Sequence, residues 1–459
     1  MTVGPLPSPS GPASGGLLDA PGRLALCVDV GSTFTKAALV DTRAGRLVGV
    51  AEVPTTLRTD VLDGVQEVRA RLGVDDAVPT IACSSAGGGL RLAVVGYERS
   101  VTAEAGYRVG LSAGARVVHV TSGQLDSAAV AALRGAGPDL VLLVGGTDGG
   151  NAEVLLHNAA RLAKARLTAP VVVAGNVEVR GQVSALLAST GRRHVLADNV
   201  VPEIGVIAPD SARRAIRAAF LEHVIGGKGL SRGPAFGAMV RAATPDAVLR
   251  GVEVLAEEVG TDVIVVDIGG ATTDVYSCLT PVGEDATLHK EVVAPLWHSR
   301  TVEADLGMRW NADGVVEAAR REHLPMSSGL EPYAAGLAAD VTHLPVGPAE
   351  EDLDLELARL AALVAVRRHG RPAAPGAGPR PLARVGLVVG SGGVLRHAGP
   401  GGRAVLAALL ADHAGGWKVP TAARVGVDVA YRLFAVGLLA DEWPTVARAL
   451  AREIGTEAR

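Results

Sequence analysis

Aromatic residues are scarce in this chain: Phe, Trp and Tyr make up 3% of it, against 48% for all apolar residues. A core must therefore be built from Val, Leu, Ala and Ile, which suits alanine- and glycine-rich α/β layers. Cysteine is limited to Cys27, Cys83 and Cys278, far apart and in or beside apolar runs. They lack metal-ligand spacing and read as buried free thiols of a reducing compartment. Positive charge is not in excess, with 44 Lys and Arg against 48 Asp and Glu and a net charge of −4. No basic stripe is interleaved with aromatics, which excludes a general nucleic-acid binder. No apolar run approaches the roughly 18–20 residues of a membrane span. The first 22 residues contain no Lys or Arg and are rich in Pro, Gly and Ser. They read as a disordered tail rather than a signal peptide, and a cytoplasmic location is expected.

At 459 residues the chain has room for two or three domains. Two phrases carry most of its information. Asp29-Val30-Gly31-Ser32-Thr33-Phe34-Thr35-Lys36 follows the apolar run Leu24–Val28, and Asp267-Ile268-Gly269-Gly270-Ala271-Thr272-Thr273-Asp274 follows Val263–Val266. Each reads as a buried strand ending in an acid and a tight turn. Glycine lets a phosphate approach the backbone, Ser and Thr add donors, and Asp holds Mg²⁺ directly or through water. A third apolar run, Val385–Val389, ends in Gly390-Ser391-Gly392-Gly393, where a base or ribose has room to lie. A lone phrase of any of these kinds is an ordinary strand-to-turn junction. Their number and order resemble the first phosphate loop, second phosphate loop and adenosine loop of the actin, Hsp70 and sugar kinase superfamily.

Further phrases resemble one family. They are Cys83-Ser84-Ser85-Ala86-Gly87-Gly88-Gly89-Leu90-Arg91, Gly145-Gly146-Thr147-Asp148-Gly149-Gly150-Asn151, Asn199-Val200-Val201-Pro202-Glu203-Ile204-Gly205, Arg300 through Arg309, and Asp428-Val429-Ala430-Tyr431 through Leu439. They look like the signatures of the glutamate mutase accessory proteins, GlmL or MutL, unrelated to the mismatch-repair protein. Gly88 departs from that family's SSAAGGL segment.

Alternating strands and helices between residues 24 and 200, such as Thr80–Cys83, Leu140–Val144 and Asn151–Lys164, give the rhythm of a mainly parallel sheet. Together with the resemblance, this implies an α/β, two-lobed actin-like ATPase fold with duplicated ribonuclease H-like domains. Residues 23–205 form the first lobe, 206–260 a helical bridge, and 261–459 the second lobe. The second lobe carries a Pro-, Gly- and Arg-rich surface loop at 367–381. A C-terminal helix of about Asp428–Leu439 crosses back to the first lobe. Thr244-Pro245 reads as an N-cap and first-turn pair.

The expected ligand is ATP with Mg²⁺. Asp29 and Asp267 take the metal. Gly31, Ser32, Thr33, Thr35, Gly269, Gly270, Ala271, Thr272 and Thr273 take the β- and γ-phosphates, and Gly390, Ser391, Gly392 and Gly393 the adenosine. Lys36 either neutralises phosphate or emerges from the return strand of a hairpin. Asp148 either orients an attacking water or forms a turn. Glu303 and Asp305 read as cap or surface groups. The resemblance implies an ATPase that chaperones or reactivates an adenosylcobalamin-dependent mutase such as glutamate (methylaspartate) mutase. It implies mutase subunits as partners, no membrane or nucleic acid, and is compatible with a homodimer. Two other readings stay open: a small-molecule kinase or hydantoinase-like enzyme, and an actin-like scaffold.

Overall fold

In the computed structural model, the structure describes residues 23–86, 90–99, 101–225, 229–279, 298–372, 379–412 and 415–458. The expected tail, Gly87–Gly89 and the centre of the 367–381 loop lie outside them. Strands β1 (Leu24–Val30), β2 (Phe34–Asp41), β3 (Arg46–Pro54) and β4 (Thr80–Ser84) begin a first sheet. The next five strands, β5 (Arg91–Gly96), β6 (Arg116–Ser122), β7 (Leu140–Leu143), β8 (Val171–Val173) and β9 (His194–Leu196), form a separate parallel sheet in the order β6-β5-β7-β8-β9. Strand β10 (Val240–Ala243) returns to the first sheet, which is ordered β10-β4-β1-β2-β3. Strands β11 (Val263–Ile268), β12 (Thr273–Cys278), β13 (His298–Glu303), β14 (Leu387–Ser391) and β15 (Arg424–Val427) make the last sheet, ordered β13-β12-β11-β14-β15.

The first and last sheets have one topology. In each, the first strand pairs antiparallel with the second and the second with the third, while the first, fourth and fifth strands run parallel. This repeat is the duplicated, actin-like α/β architecture. The third sheet was not separable from the first lobe by sequence rhythm, because both alternate strand and helix. The segment expected as a helical bridge likewise contains β10.

The central strands are apolar on both faces because both faces are covered. Leu24, Leu26, Val28 and Val30 of β1 enter the core of the first lobe, while Ala25 and Cys27 point to the opposite side. Ile264, Val266 and Ile268 of β11 enter the second lobe's core, while Val263 and Val265 point back. The opposite faces meet in one shared core, filled by the helices Thr244–Val259, Leu433–Leu439 and Pro444–Glu457. The expected crossing helix thus reaches the first lobe, and it begins at Leu433. The buried carboxylate of Asp428 caps it, accepting from Arg432 N at 2.6 Å and Leu433 N at 2.9 Å.

The helices Thr244–Val259 and Leu433–Leu439 cross at glycines. A Cβ on Gly251 would stand 2.1 Å from Leu433 O, and one on Gly437 would stand 1.8 Å from Ala247 O. Only hydrogen fits at either place. Two expectations for the loop region change. Arg367 is buried in the last turns of helix Pro348–His369, where Glu322 and Asp412 pair with it, so no solvated loop begins there. The strand expected at Val385–Val389 runs from Leu387 to Ser391 and takes in the first half of the glycine phrase. Among the described residues no helix is long and apolar enough to cross a membrane.

Gly437→Ala should lower stability by about 1–3 kcal/mol, because the crossing helices must part. Gly336→Ala, in helix Leu330–Ala339 with open space around it, should be neutral or stabilising by up to about 1 kcal/mol. Urea unfolding of both variants checks this. A Gly437→Ala protein as stable as the parent would contradict the crossing.

Candidate functional site

The two acidic phrases form matching hairpins. Asp29 is the penultimate residue of β1, opposite Lys36 of β2, and Asp267 the penultimate residue of β11, opposite Asp274 of β12. Each turn is closed by one backbone bond, Gly31 N to Phe34 O at 3.0 Å and Gly269 N to Thr272 O at 2.9 Å. A Cβ on Gly31 would lie 2.8 Å from Phe34 O, which is why that turn takes glycine. Ser32, Thr33, Gly270 and Ala271 stand exposed at the tips.

Two of the expected donors do not face outward. Thr35 is fully buried with its hydroxyl 3.1 Å from that of Thr55, and buried Thr273 donates to Leu306 O at 2.7 Å. Their side chains belong to the cores beneath the turns, a correction to their expected place on the phosphates. The second turn is braced from outside. Arg309 N and Trp310 N donate to Gly270 O at 2.8 and 2.9 Å, and the Asn311 amide donates to Ala271 O at 2.7 Å. Asp354 locks the Arg309 guanidinium at 2.8 and 3.3 Å. The Arg300–Arg309 signature therefore holds the second turn in shape. Glu303 and Asp305, expected as cap or surface groups, both pair with Arg368, at 2.8 and 2.7 Å.

The glycine phrase lies beside Asp267, with Ser391 its register partner on β14. Gly390, Ser391 and Gly392 are buried. A Cβ on Gly392 (φ 89°) would stand 2.1 Å from Ile268 O, so this glycine serves the close approach of two strand ends. Gly393 alone of the four is exposed, with open space around it.

Asp29 is buried and accepts three hydrogen bonds: from Thr244 Oγ1 at 2.5 Å, Tyr431 Oη at 3.1 Å and Cys83 Sγ at 3.5 Å. Thr244 was expected as an N-cap, but its residue is already helical and its hydroxyl goes to Asp29. Burial raises the Asp29 pKa, against the opposing pull of the Lys36 ammonium and the three donors. Asp267 is pushed up to about 6, first by burial and further by the charges of Asp274 and Asp29, while Lys36 and Arg396 oppose this. Lys36 lies 3.9 Å from the ring centre of Tyr431. Asp274 is held by Arg300 at 2.6 Å, and Arg396 by Glu52 at 3.3 Å. The Lys36 charge thus acts on both carboxylates, and that of Arg396 on Asp267 as well, while the contact of the Lys36 ammonium itself is the Tyr431 ring. Arg300 and Tyr431 belong to phrases that carry the family resemblance and Thr244 to a helix-start pattern, but no local pattern ties any of them, or Arg396, to the acidic phrases.

Asp148 is elsewhere. The helix Thr102–Ser112 runs back from the end of β5 to the start of β6, and Gly114 beyond it packs against Asp246 at the start of the crossing helix. Arg300 donates to Gly114 O at 2.9 Å. The amino edge of the third sheet therefore faces the lobes, and Asp148, beyond the carboxyl end of β7, stands at the opposite edge. Its carboxylate accepts from Asn199 Nδ2 at 2.8 Å and Val177 N at 3.0 Å. These are the partners of a turn-forming Asp, the other role expected for Asp148, and neither Asp29 nor Asp267 is among them.

The titration of Asp267 has a defined sign. A carboxyl whose folded pKa is raised binds its proton more tightly in the native state, so its charged form costs stability as pH rises through about 6. Asp267→Asn should stabilise the ligand-free protein by about 1–3 kcal/mol at pH 8. The gain should vanish by pH 4. Melting temperatures across that range check it, and a gain that grows on acidification would contradict the assignment.

The family model described as "MutL protein" matches residues 25–454. A curated relative, Protein MutL of Clostridium tetanomorphum, is 34% identical over 447 residues, covering 91% of this chain and 96% of its own. Among solved structures, a nucleotide-free acetone carboxylase aligns with a TM-score of 0.41 at 13% identity, over 91% of this chain and 70% of that one. A xylulose kinase from Bifidobacterium adolescentis aligns with a TM-score of 0.33 at 11% identity, over 95% and 94%. With the family model spanning nearly all of its described length and a full-length relative at this identity, the chain belongs to the MutL family.

Proposed function

We propose that this protein is an ATP-binding accessory ATPase that remodels or reactivates an adenosylcobalamin-dependent mutase, such as glutamate (methylaspartate) mutase. The observation that supports the reading is the pair of matching hairpins, each with a carboxylate beside its turn, and the Lys36 charge that acts on both carboxylates. The donor set fits ATP with Mg²⁺. Two carboxylates with raised pKa values, Asp29 buried and Asp267 half-buried, with the Lys36 charge acting on both, form a site that gains from added positive charge. Among the described residues no three His, Cys, Asp or Glu side chains gather to hold a metal by themselves. Asp29 and Asp267 would therefore hold the ion together with phosphate and water oxygens. When bound, Mg²⁺ neutralises phosphate charge and orients the nucleotide.

The chain's own groups have separable tasks in this reading. Exposed Ser32 and Thr33, with the backbone N–H groups of Gly270 and Ala271 at the other tip, offer donors to phosphate, while the N–H groups of Gly31 and Gly269 close the turns and their lack of a side chain leaves room for it. Thr272 adds a hydroxyl, which otherwise goes to Asp274 at 3.3 Å. Lys36 balances phosphate charge. Gly393 and the strand end before it leave space for the nucleoside. Nucleotide between the lobes alters their closure, and closure alters affinity for the partner. A tenfold difference between the ATP and ADP states corresponds to about 1.4 kcal/mol of coupling.

Titration of a purified mutase from the same cell, with ATP and then ADP, tests this. The expected result is nucleotide-dependent binding, and recovery of mutase inactivated with a cobalamin lacking its adenosyl group. Asp29→Asn and Asp267→Asn should lower ATP hydrolysis and recovery by about 10²-fold or more. If no mutase binds in any nucleotide state and a small metabolite stimulates ATP consumption, the protein is a small-molecule kinase instead.

A further inference from the structure

We infer that Tyr431 is a positioning residue that sets the first lobe's Asp29 and Lys36 from the second lobe. Tyr431 follows β15 of the last sheet and leads into the crossing helix Leu433–Leu439. Its hydroxyl donates to Asp29 Oδ2 at 3.1 Å. Its ring lies between two cations, with Lys36 Nζ 3.9 Å and Arg396 Cζ 5.1 Å from the ring centre. The ring also packs on Phe434 of the crossing helix, centre to centre 5.1 Å. The residue is 6% exposed and holds a φ of 51°, which side chains other than glycine rarely adopt. The surroundings thus fix both ends of the tyrosine.

The other oxygen of Asp29 is held by Thr244, the first residue of the other crossing helix. The first residue of one of the helices that touch at Gly251 and Gly437, and the residue two before the start of the other, thus each send one hydroxyl to the same carboxylate. Thr244 belongs to the first lobe's side of that junction and Tyr431 to the second's. The Tyr431–Asp29 bond therefore spans the lobes, as does the Arg396–Glu52 pair at 3.3 Å beside it. A change of lobe angle moves the tyrosine, which then moves the carboxylate orientation and releases or holds Lys36. Occupancy of the site and the angle of the lobes are linked in either direction.

The functional half of this inference rests on the nucleotide reading, and the lobe half does not. The test uses the full chain with spin labels at Arg43→Cys and Ala335→Cys, exposed positions in the two lobes, while the three native cysteines stay buried. Label-to-label distances are measured with and without Mg²⁺–ATP, and Mg²⁺–ATP affinity by calorimetry, for the parent, Tyr431→Phe and Tyr431→Leu. Tyr431→Phe keeps the ring and loses the hydroxyl. It should broaden the ligand-free distance distribution and weaken binding about tenfold, the loss expected for a hydrogen bond to a charged group. Tyr431→Leu also frees Lys36 and should weaken binding by roughly another tenfold. A Tyr431→Phe protein with parental distances and affinity, whatever its melting temperature, overturns the inference. If the parent itself binds no nucleotide, the proposed function falls, and the ligand-free distances decide the inference alone. Should Tyr431→Leu fail to fold, Tyr431→Phe still decides it.

Discussion

The buried carboxylate of Asp29 is the constraint on which the rest depends. A charge without a cation in direct contact needs hydrogen bonds to be tolerated inside a protein. Here the bonds come from β4 through Cys83, from the first crossing helix through Thr244 and from the second lobe through Tyr431. Three separate parts of the chain must arrive at one atom group. Lys36, across the hairpin, supplies charge, yet it also lies over the Tyr431 ring and acts on Asp267. The lobes are therefore joined at the same groups that are candidates to hold a nucleotide.

The shared core answers to the same demand. To bring two crossing helices between the two central strands, the chain uses small side chains. Ala25, Cys27, Ala38 and Cys83 line the first sheet's inner face, and Gly251 and Gly437 lie at the crossing. A Phe or Trp at most of these positions would part the layers. The third sheet is coupled to that junction at its amino edge. Gly114 packs on Asp246, and Arg300 reaches from Asp274 to Gly114 O. Arg300 thus links the second hairpin to the third sheet, and the packing of Gly114 links that sheet to the start of the helix that carries Thr244.

Much of the fold was legible because it is carried by local pattern. Apolar runs ending in Asp and Gly marked β1 and β11, and their repetition indicated duplicated lobes. The tips Ser32, Thr33, Gly270 and Ala271 were legible for the same reason, since a tight turn after a buried strand has few places to put its residues. What was not legible came from long range. Thr244 looked like a helix cap because its neighbour is proline, and only the fold reveals Asp29 as its partner. Asp148 looked equivalent to the other strand-end acids, because local sequence does not say which sheet a strand joins or which edge faces the cleft. Thr35 and Thr273 hold the same place after turns of equal length, paired with Val30 and Ile268, and strand alternation sends both side chains inward. The family resemblance reached further than these patterns, since full-length similarity integrates contacts that no window contains.

The central claim is that the two hairpins make one composite site across the lobes. Its most direct test is a double-mutant cycle on cation affinity, with Mn²⁺ as the spectroscopic probe in the presence of ATP. The parent, Asp29→Asn, Asp267→Asn and the double variant would be titrated by electron paramagnetic resonance. If both carboxylates serve one ion, the double variant binds about as weakly as the weaker single variant, because the second loss has little left to remove. Losses that multiply, or a single variant that keeps parental affinity, would show that the hairpins act apart and would contradict the account.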